Sequence, residues 1–220
     1  MKNKPQRVLF IHHSVGRQII KEGNLRELLG SSCCLIDHDR NRIGLSDCSG
    51  QCLKRAFPIP DDCTDPPGLV KLFEKFQSDL SHEIDGVDLI VVKSCYPNAK
   101  IKSSVHAQEV LSIYDELFEL ASQLKPKTLL VSSPPMSPMS IRAEYAERYR
   151  DLVIPKLRQK WQADFCGFVD IFSELSDGRG CLDRKYRRIW PWESHLNRLG
   201  AQTAARTIAE SIKKILHASN

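Results

Sequence analysis

The sequence contains no long apolar run. No stretch approaches the roughly 18 consecutive apolar residues that read as a transmembrane helix. The apolar run at residues 8–11 is shorter than the apolar core of a secretory signal, and two histidines follow it instead of a small-residue cleavage site. We therefore expect a cytoplasmic protein with no membrane partner.

The sequence also contains no C-x-x-C pair, although cysteine itself is abundant. Eight cysteines are present, and their spacing matches no common zinc signature. We expect reduced thiols that pack as small apolar side chains, because disulfides do not persist in a reducing compartment. The alternative is a metal site or a redox pair formed by Cys48, Cys52 and Cys63, which share one loop-like region.

Two signatures of well-known enzyme folds are missing as well. The chain has no G-x-x-x-x-G-K phosphate-binding loop and no G-x-S-x-G nucleophile turn, which argues against P-loop enzymes and α/β-hydrolases. It contains no internal repeat, linker or low-complexity tail, so residues 1–220 are predicted to form one domain. The net charge of +5 is only mildly basic, and without a zinc finger or an RNA-binding aromatic motif we expect no nucleic-acid partner.

Short β-branched runs alternate with amphipathic segments along the whole chain. The runs predict five strands, at residues 8–11, 33–36, 87–92, 128–131 and 164–171. The spacing of apolar residues predicts helices at about 17–29, 69–80, 105–124, 141–161 and 196–216. This order predicts a three-layer α/β/α sandwich with a mainly parallel five-stranded sheet, whose ligands bind beyond the carboxyl ends of the strands. Residues 37–67 lack periodicity and are expected to form a long functional loop that lines the site.

A serine follows the first predicted strand. Ser14 lies between this strand and the next helix, where backbone N–H groups stabilise an anion. Its hydroxyl is placed to attack while its own N–H donates to an oxyanion, and Gly16 lets the chain turn there. The alternative role for Ser14 is a simple helix N-cap.

Polar residues also follow the second and third predicted strands. The second strand leads into Asp37, His38 and Asp39, which together with His12 and His13 are candidate metal ligands. Their alternative role is a polar turn. Gly44, further along the same loop, is a candidate backbone donor to the Ser14 pocket. After the third strand, Asn98 offers an amide donor held by Pro97, although Pro-Asn is also common turn chemistry.

An acid and a histidine precede the last predicted helix. Glu193 and His195 are a candidate pair in which the carboxylate fixes the imidazole tautomer and stabilises the imidazolium that forms during acyl transfer. The alternative is a solvated histidine beside a glutamate that interacts with the helix dipole.

The order of these groups resembles that of the SGNH (GDSL-like) hydrolases, a superfamily of esterases and lipases. The segment VLFIHHSVGRQI stands where that family places its nucleophile, which implies Ser14, and ESHLNRLGA stands where it places its catalytic histidine, which implies His195. DHDRNRIGL and DLIVVKSCYPNAKI correspond to the two middle blocks, which implies Gly44 and Asn98 as oxyanion donors beside the Ser14 N–H. These blocks span nearly the whole chain, and the resemblance implies an SGNH/flavodoxin-like fold. It extends to an uncharacterised bacterial subfamily with HHS, DHD, KSC-aromatic-PN and acid-Ser-His elements.

The chain departs from the family pattern at several positions. His12 and His13 replace the usual Gly-Asp before the nucleophile, and Ser94 competes with Asn98 because the third block lacks a clear Gly-x-Asn-Asp. The family's acid stands three residues before the histidine, where this chain has Trp192. Glu193 is therefore one residue closer, and the other candidate acids are Asp170, Asp177 and Asp183. His13 and Ser94 are additional candidate substrate contacts.

These residues predict a serine hydrolase that cleaves a carboxylic ester on a small or carbohydrate substrate. No cofactor is expected, and the oligomeric state is not given by the sequence. One alternative is a metal-dependent hydrolase built on His12, His13, Asp37, His38 and Asp39. The other is a non-catalytic protein of the same fold, in which the basic segment 183–188 binds an anionic ligand.

Overall fold

A computed structural model of the chain describes residues 4–39, 44–56, 65–190 and 192–217. Six strands form one sheet, and we number them along the chain as β1 (Gln6–His12), β2 (Cys33–Asp39), β3 (Gly44–Ser46), β4 (Leu89–Lys93), β5 (Lys127–Val131) and β6 (Cys166–Val169). Their order across the sheet is β3-β2-β1-β4-β5-β6. All neighbours are parallel except β2 and β3, which are antiparallel.

The predicted mainly parallel sheet is confirmed, but the prediction of five strands is wrong. The sixth strand is β3, which pairs Leu45 with His38 at the edge of the sheet. It lies inside residues 37–67, which the sequence predicts to be a loop. The strand is not predicted because its three residues are too few to show an alternation of apolar and polar side chains. β2 likewise continues to Asp39, since polar residues can occupy strand positions when other elements satisfy them.

Helices cover both faces of the sheet. They are α1 (Ser14–Lys21), α2 (Leu25–Leu29), α3 (Pro66–Gln77), α4 (Ser104–Ser122), α5 (Ala143–Arg148), α6 (Ile154–Lys160), α7 (Ile171–Leu175) and α8 (Arg198–His217). One core layer packs apolar residues of α1, α2 and α8 against one face, and the other packs α3, α4 and α6 against the opposite face. The three-layer α/β/α sandwich predicted from the sequence is therefore confirmed. No helix in the described residues is both long enough and apolar enough to cross a membrane.

Two predicted helices are interrupted. The first breaks between α1 and α2, where Asn24 adopts a left-handed conformation with φ of 58°. A Cβ on Gly23 would lie only 2.5 Å from the Ala201 carbonyl oxygen of α8, so glycine permits a close approach of α1 to α8. The helix predicted at 141–161 is divided by one turn of π-helix at Tyr149–Val153, which apolar spacing cannot reveal.

The cysteines depart in part from the expectation of reduced thiols. Cys34, in β2, and Cys48, in the turn after β3, form a disulfide with a Cα–Cα distance of 4.9 Å. The expectation is wrong for this pair because the β2–β3 hairpin folds the two residues together, which their spacing of 14 residues does not indicate. Cys166 and Cys181 are buried thiols, as expected, whereas Cys63 lies outside the described residues.

Lys93 is the last residue of β4 and is fully buried. It lies at the carboxyl ends of the parallel strands, where the sequence predicts the site. Its Nζ donates to the Ser94 carbonyl oxygen at 2.9 Å. Burial lowers the pKa of Lys93 to about 8, because an ammonium in an apolar surrounding loses its hydration. No pattern in the sequence distinguishes Lys93.

The buried ammonium predicts a measurable effect on stability. Near neutral pH Lys93 is charged in both the folded and the unfolded chain, so the folded state carries the full cost of burying the charge. Between pH 8 and 10.5 the unfolded chain holds more protons, so the contribution of Lys93 to stability improves as pH rises. We expect Lys93→Met to raise the free energy of unfolding near neutral pH by up to about 3 kcal/mol.

The measurement is urea denaturation of wild type and Lys93→Met across this pH range. The difference between them should shrink as pH rises through the window. Lys100→Met, at an exposed position, is the matched control and should change little. A Lys93→Met protein that is no more stable than wild type at neutral pH would contradict the argument.

Candidate active site

Ser14 is the first residue of α1, and one residue, His13, separates it from the end of β1. The N-cap of α1 is His13, whose side chain makes no capping hydrogen bond. The alternative of Ser14 as the N-cap is therefore wrong. The hydroxyl of Ser14 instead lies with its Oγ 2.9 Å from His195 Nε2, across 181 residues of sequence.

His195 and Glu193 lie in the segment that leads into α8. Glu193 Oε1 is 3.2 Å from His195 Nδ1, so the carboxylate and the Ser14 hydroxyl occupy opposite ring nitrogens. A carboxylate accepts from Nδ1–H, which leaves the Nε2 lone pair directed at the hydroxyl. The His195 side chain is 29% exposed and that of Glu193 is 27% exposed, so the site is open to solvent. The ring of Tyr96 packs edge-on against His195, with a centroid distance of 6.0 Å.

Gln18 holds the segment that carries His195 (the histidine segment, residues 192–197) against α1. Its Nε2 donates to the Leu196 carbonyl at 3.0 Å, and its Oε1 accepts from the Leu196 N–H at 3.2 Å. Gln18 is buried, and it lies one turn after Ser14, so both side chains project from the same face of the helix. Gln18 is not among the residues predicted from the sequence, where the only signal for it is its spacing of four residues from Ser14.

Further hydrogen bonds anchor the same segment from other directions. The Asn197 side chain donates to the Lys185 and Arg187 carbonyls at 2.7 and 3.0 Å and accepts from the Gly200 N–H in the first turn of α8. On the other side the buried Ser194 hydroxyl accepts from the Ser137 N–H at 3.1 Å. The backbone that carries Glu193 and His195 is therefore held at Ser194, between the two residues, and at Asn197, just after them.

Gly16 and His12 form the base of the turn that carries Ser14. A Cβ on Gly16 would lie 2.2 Å from the His12 Cβ, so only glycine allows α1 to begin this close to the end of β1. The His12 ring places Nδ1 2.9 Å from the His13 carbonyl oxygen and Nε2 3.1 Å from Asp37 Oδ2. His12 is thus a buried structural residue beneath Ser14, where the family pattern has another residue type.

The other candidate acids have partners of their own. Asp170 accepts from the Ser173 N–H as the N-cap of α7 and pairs with Arg158 at 2.5 Å. Asp177 accepts from the Arg179 and Cys181 N–H groups, and Asp183 accepts from the Lys185 N–H. Each therefore stabilises a local turn, whereas Glu193 lies against His195. Trp192, at the position of the family's acid, is 60% exposed.

Asn98 lies in a short 3-10 turn, Tyr96–Ala99, that follows β4. β4 is the neighbour of β1 opposite β2, so Ser14 and Asn98 follow adjacent parallel strands at the point where the chain reverses its direction of winding. Asn98 is half-buried there. Burial raises the pKa of the neighbouring Tyr96, with smaller contributions from Cys95 and Glu193, so its phenol remains protonated.

Gly44 lies farther from Ser14. It begins the edge strand β3 and pairs with Asp39, which in turn pairs with His12 of β1. Two strand spacings, about 10 Å, therefore separate Gly44 from His12. This register does not support Gly44 as an oxyanion donor, and that role stays a prediction of the sequence.

The two additional candidate substrate contacts have different surroundings. His13 is half-buried beside Ser14, and its carbonyl accepts from the Arg17 N–H. Ser94 is fully buried, and its Oγ lies 2.6 Å from the Tyr114 hydroxyl inside the core. Ser94 therefore presents no surface to a ligand, and the assignment of Ser94 as a substrate contact is corrected to a core position.

The candidate metal ligands divide between the two faces of the sheet. Side chains alternate along a strand, and Leu35 of β2 lies in the core layer beside α1. Asp37 and Asp39 therefore face α1 and α2, whereas His38 faces the opposite layer. Among the described residues no group of three histidine, cysteine or acidic side chains is placed to hold a metal ion.

Both carboxylates of this set are paired with arginines. Asp39 receives two hydrogen bonds from Arg17, at 2.5 and 3.0 Å, and Asp37 pairs with Arg26 as well as with His12. Burial lowers the pKa of His38 to about 4, helped by the nearby His12, so its ring is neutral at ordinary pH. These pairings correct the metal-ligand prediction: Asp39 links β2 to α1 through Arg17, and Asp37 links β2 to α2 through Arg26.

The basic segment 183–188 lies next to Glu193. Arg187 and Arg188 line a cavity of about 800 Å³ together with Trp190 and Glu193. Arg188 also donates to the Leu196 carbonyl at 2.9 Å and to Glu22 at 2.8 Å. Arg188 therefore also helps to hold the histidine segment in place.

Comparisons with known proteins give different results for sequence and for structure. No protein-family model matches the chain, and no curated protein matches its sequence. The fold, by contrast, is similar to several solved structures.

Three of these structures illustrate the likeness. A GDSL-like lipase from Bacteroides thetaiotaomicron is 14% identical, with a TM-score of 0.61 over 95% of this chain and 88% of its own. A carbohydrate acetylesterase family member from Sinorhizobium meliloti is 16% identical, with a TM-score of 0.54 over 96% and 100%. An aryl esterase from M. smegmatis is 10% identical, with a TM-score of 0.54 over 96% and 99%. With a six-stranded sheet in the same three-layer arrangement, this chain has the SGNH (GDSL-like) hydrolase fold.

Proposed function

We propose that the chain is a serine hydrolase that cleaves carboxylic esters. The observation that carries this proposal is the line of contacts from Ser14 Oγ to His195 Nε2, at 2.9 Å, and from His195 Nδ1 to Glu193, at 3.2 Å. A hydroxyl is a weak nucleophile until a neighbouring base takes its proton, and this geometry supplies both the base and the group that orients it. The fold adds support, because solved structures that share it include esterases and a lipase.

The reaction proceeds through an acyl-enzyme. Ser14 Oγ attacks the ester carbonyl carbon while His195 Nε2 takes the hydroxyl proton. The C–O bond to the alcohol then breaks, and His195 returns the proton to the leaving oxygen. A water molecule attacks the acyl-enzyme with His195 again as the base, which releases the acid and restores Ser14. Glu193 stabilises the imidazolium that forms in each half of the reaction.

The negative charge on the tetrahedral intermediate requires hydrogen-bond donors. The first turn of α1 leaves its N–H groups without acceptors inside the helix, so we assign the Ser14 N–H as one donor. The side-chain amide of Asn98, on the turn after the adjacent strand, is the second. His13 is half-buried and precedes Ser14 in the chain, and it stays a candidate substrate contact.

We propose a short acyl group, such as acetyl, on a small or carbohydrate alcohol as the substrate class. The site is open around Ser14 and His195, and the solved structures of the same fold include a carbohydrate acetylesterase family member. Hydrolysis of short-chain p-nitrophenyl esters is therefore the first assay.

Removal of either reacting side chain should abolish most of the activity. We expect Ser14→Ala and His195→Ala each to lower kcat on p-nitrophenyl acetate by on the order of 10⁴-fold. The matched controls are Ser104→Ala, at an exposed serine, and His82→Ala, an exposed histidine whose Nε2 lies 3.5 Å from Glu83. Wild-type rates in the two site variants would show that the assignment of Ser14 and His195 is wrong.

The identity of the acid is a separate prediction. Glu193→Gln should lower kcat by between about 10² and 10⁴-fold, because the amide no longer stabilises the imidazolium. Asp170→Asn and Asp183→Asn keep an acceptor oxygen for their local N–H groups and should retain the wild-type kcat. If one of these two variants loses activity and Glu193→Gln does not, the acid has been misassigned.

Gln18 should affect the reaction only by positioning His195. Gln18→Leu leaves the Leu196 N–H without its partner and leaves the Leu196 carbonyl with Arg188 alone, so His195 is held less accurately. We expect kcat to fall by roughly 10- to 100-fold. Gln77→Leu removes an exposed amide that bonds the Leu120 carbonyl far from the site and is the matched control. Assays well below the melting temperature of each variant separate misplacement from unfolding. An unchanged kcat in Gln18→Leu would refute the positioning role.

A further inference from the structure

Four large apolar side chains are exposed together beside the candidate active site. They are Met139, Ile189, Trp190 and Trp192, and we call this group the apolar crest. Ile189 is 93% exposed, Met139 is 67% exposed and each tryptophan is 60% exposed. Eight large apolar side chains are exposed in the part of the chain that the structure describes, so half of them lie in the crest. Such clustering marks an interaction surface, whereas scattered exposed residues do not.

The crest is joined directly to the site. Trp192 precedes Glu193, and the Ser140 hydroxyl donates to the Trp192 carbonyl at 2.6 Å, which ties the segment carrying Met139 to the segment carrying the tryptophans. The two indole rings lie 5.4 Å apart with an angle of 30° between their planes. The tryptophans therefore contact each other yet leave most of their surface in water.

Positive charge borders the crest on the side of Ile189 and Trp190. Residues 184–198 contain five basic side chains, Arg184, Lys185, Arg187, Arg188 and Arg198, against one acidic side chain, Glu193. Arg187, Arg188 and Arg198 line one cavity together with Ile189 and Trp190, so the basic and apolar groups share one surface. Two acids, Glu22 and Glu193, line the same cavity, so basic groups outnumber acidic ones there by three to two.

We propose that the apolar crest inserts into the surface of an anionic lipid bilayer and places the Ser14 site at the membrane interface. Tryptophan is favoured at the boundary between headgroups and acyl chains, and an aliphatic tip such as Ile189 gains free energy by entering the hydrocarbon. The flanking arginines meet anionic headgroups, which attract basic groups near the membrane surface.

Two other occupants fit the same surface less well. A sugar chain would stack on the indole rings but would leave Ile189 and Met139 against polar hydroxyls. A second copy of this chain would bring two sets of arginines together, and like charges in an interface oppose association.

A lipid contact at the crest departs from the expectation that the chain has no membrane partner. That expectation rested on the absence of a long apolar run, which argues against a spanning helix only. A peripheral contact needs a few exposed apolar side chains and nearby positive charge.

The test is co-sedimentation of the full chain with lipid vesicles. We expect binding to vesicles with about 30% anionic phosphatidylglycerol, weaker binding to pure phosphatidylcholine, and loss of the difference in about 1 M salt. Ile189→Ser and Trp190→Ser should each lower the partition coefficient at least about tenfold. Val105→Ser, at a position that is 61% exposed on α4, is the matched control and should bind as wild type does.

A second readout uses the tryptophans themselves. Brominated lipids should quench the fluorescence of the wild-type chain, and Ile189→Ser should reduce the quenching. Ser14→Ala should bind and be quenched as wild type is, so the result does not depend on whether the chain is an esterase. Equal partitioning of Ile189→Ser, Trp190→Ser and wild type would overturn the proposal. Crest variants that change only self-association in light scattering, or only binding to a sugar polymer, would overturn it as well.

Discussion

The pair of hydrogen bonds between the Gln18 side chain and the Leu196 backbone joins the two ends of the chain. Ser14 belongs to α1, next to the N-terminus, and His195 belongs to the approach to α8, next to the C-terminus. A contact of 2.9 Å between their side chains requires the two segments to be held within a fraction of an ångström. The buried amide of Gln18 does this because it satisfies both the donor and the acceptor of one backbone residue.

The close packing of α1 depends on small residues at its two ends. Gly16 lets the first turn approach His12, and Gly23 lets the last turn approach α8. His12, Asp37 and Arg26 then fill the space beneath the turn with a hydrogen-bonded network. Residues that resemble metal ligands in the sequence thus support the turn that presents Ser14. Their pairing with arginines compensates their burial, which would otherwise be costly.

The surface around Ser14 and His195 combines features that have different physical origins. The contact of His195 with Glu193 depends on a backbone fixed by Asn197 and by the Ser137–Ser194 hydrogen bond. In the crest beside it, Trp190 and Trp192 are each 60% exposed. The proposed hydrolytic site and the proposed lipid contact therefore share one short part of the chain, which carries Trp190, Trp192, Glu193 and His195.

The sequence by itself determined the α/β architecture, since periodicity and the alternation of strands and helices are local properties. It also predicted Ser14, His195 and Glu193 as the candidate site, because strand ends and helix starts are recognisable and the order of the serine and the histidine resembles that of the SGNH hydrolases. Only the tertiary structure decided the rest. Strand β3 is too short to show a period, and the Cys34–Cys48 disulfide depends on a hairpin. Gln18, Lys93 and Ser94 take their roles from what packs against them, which is a property of the fold and not of any stretch of residues.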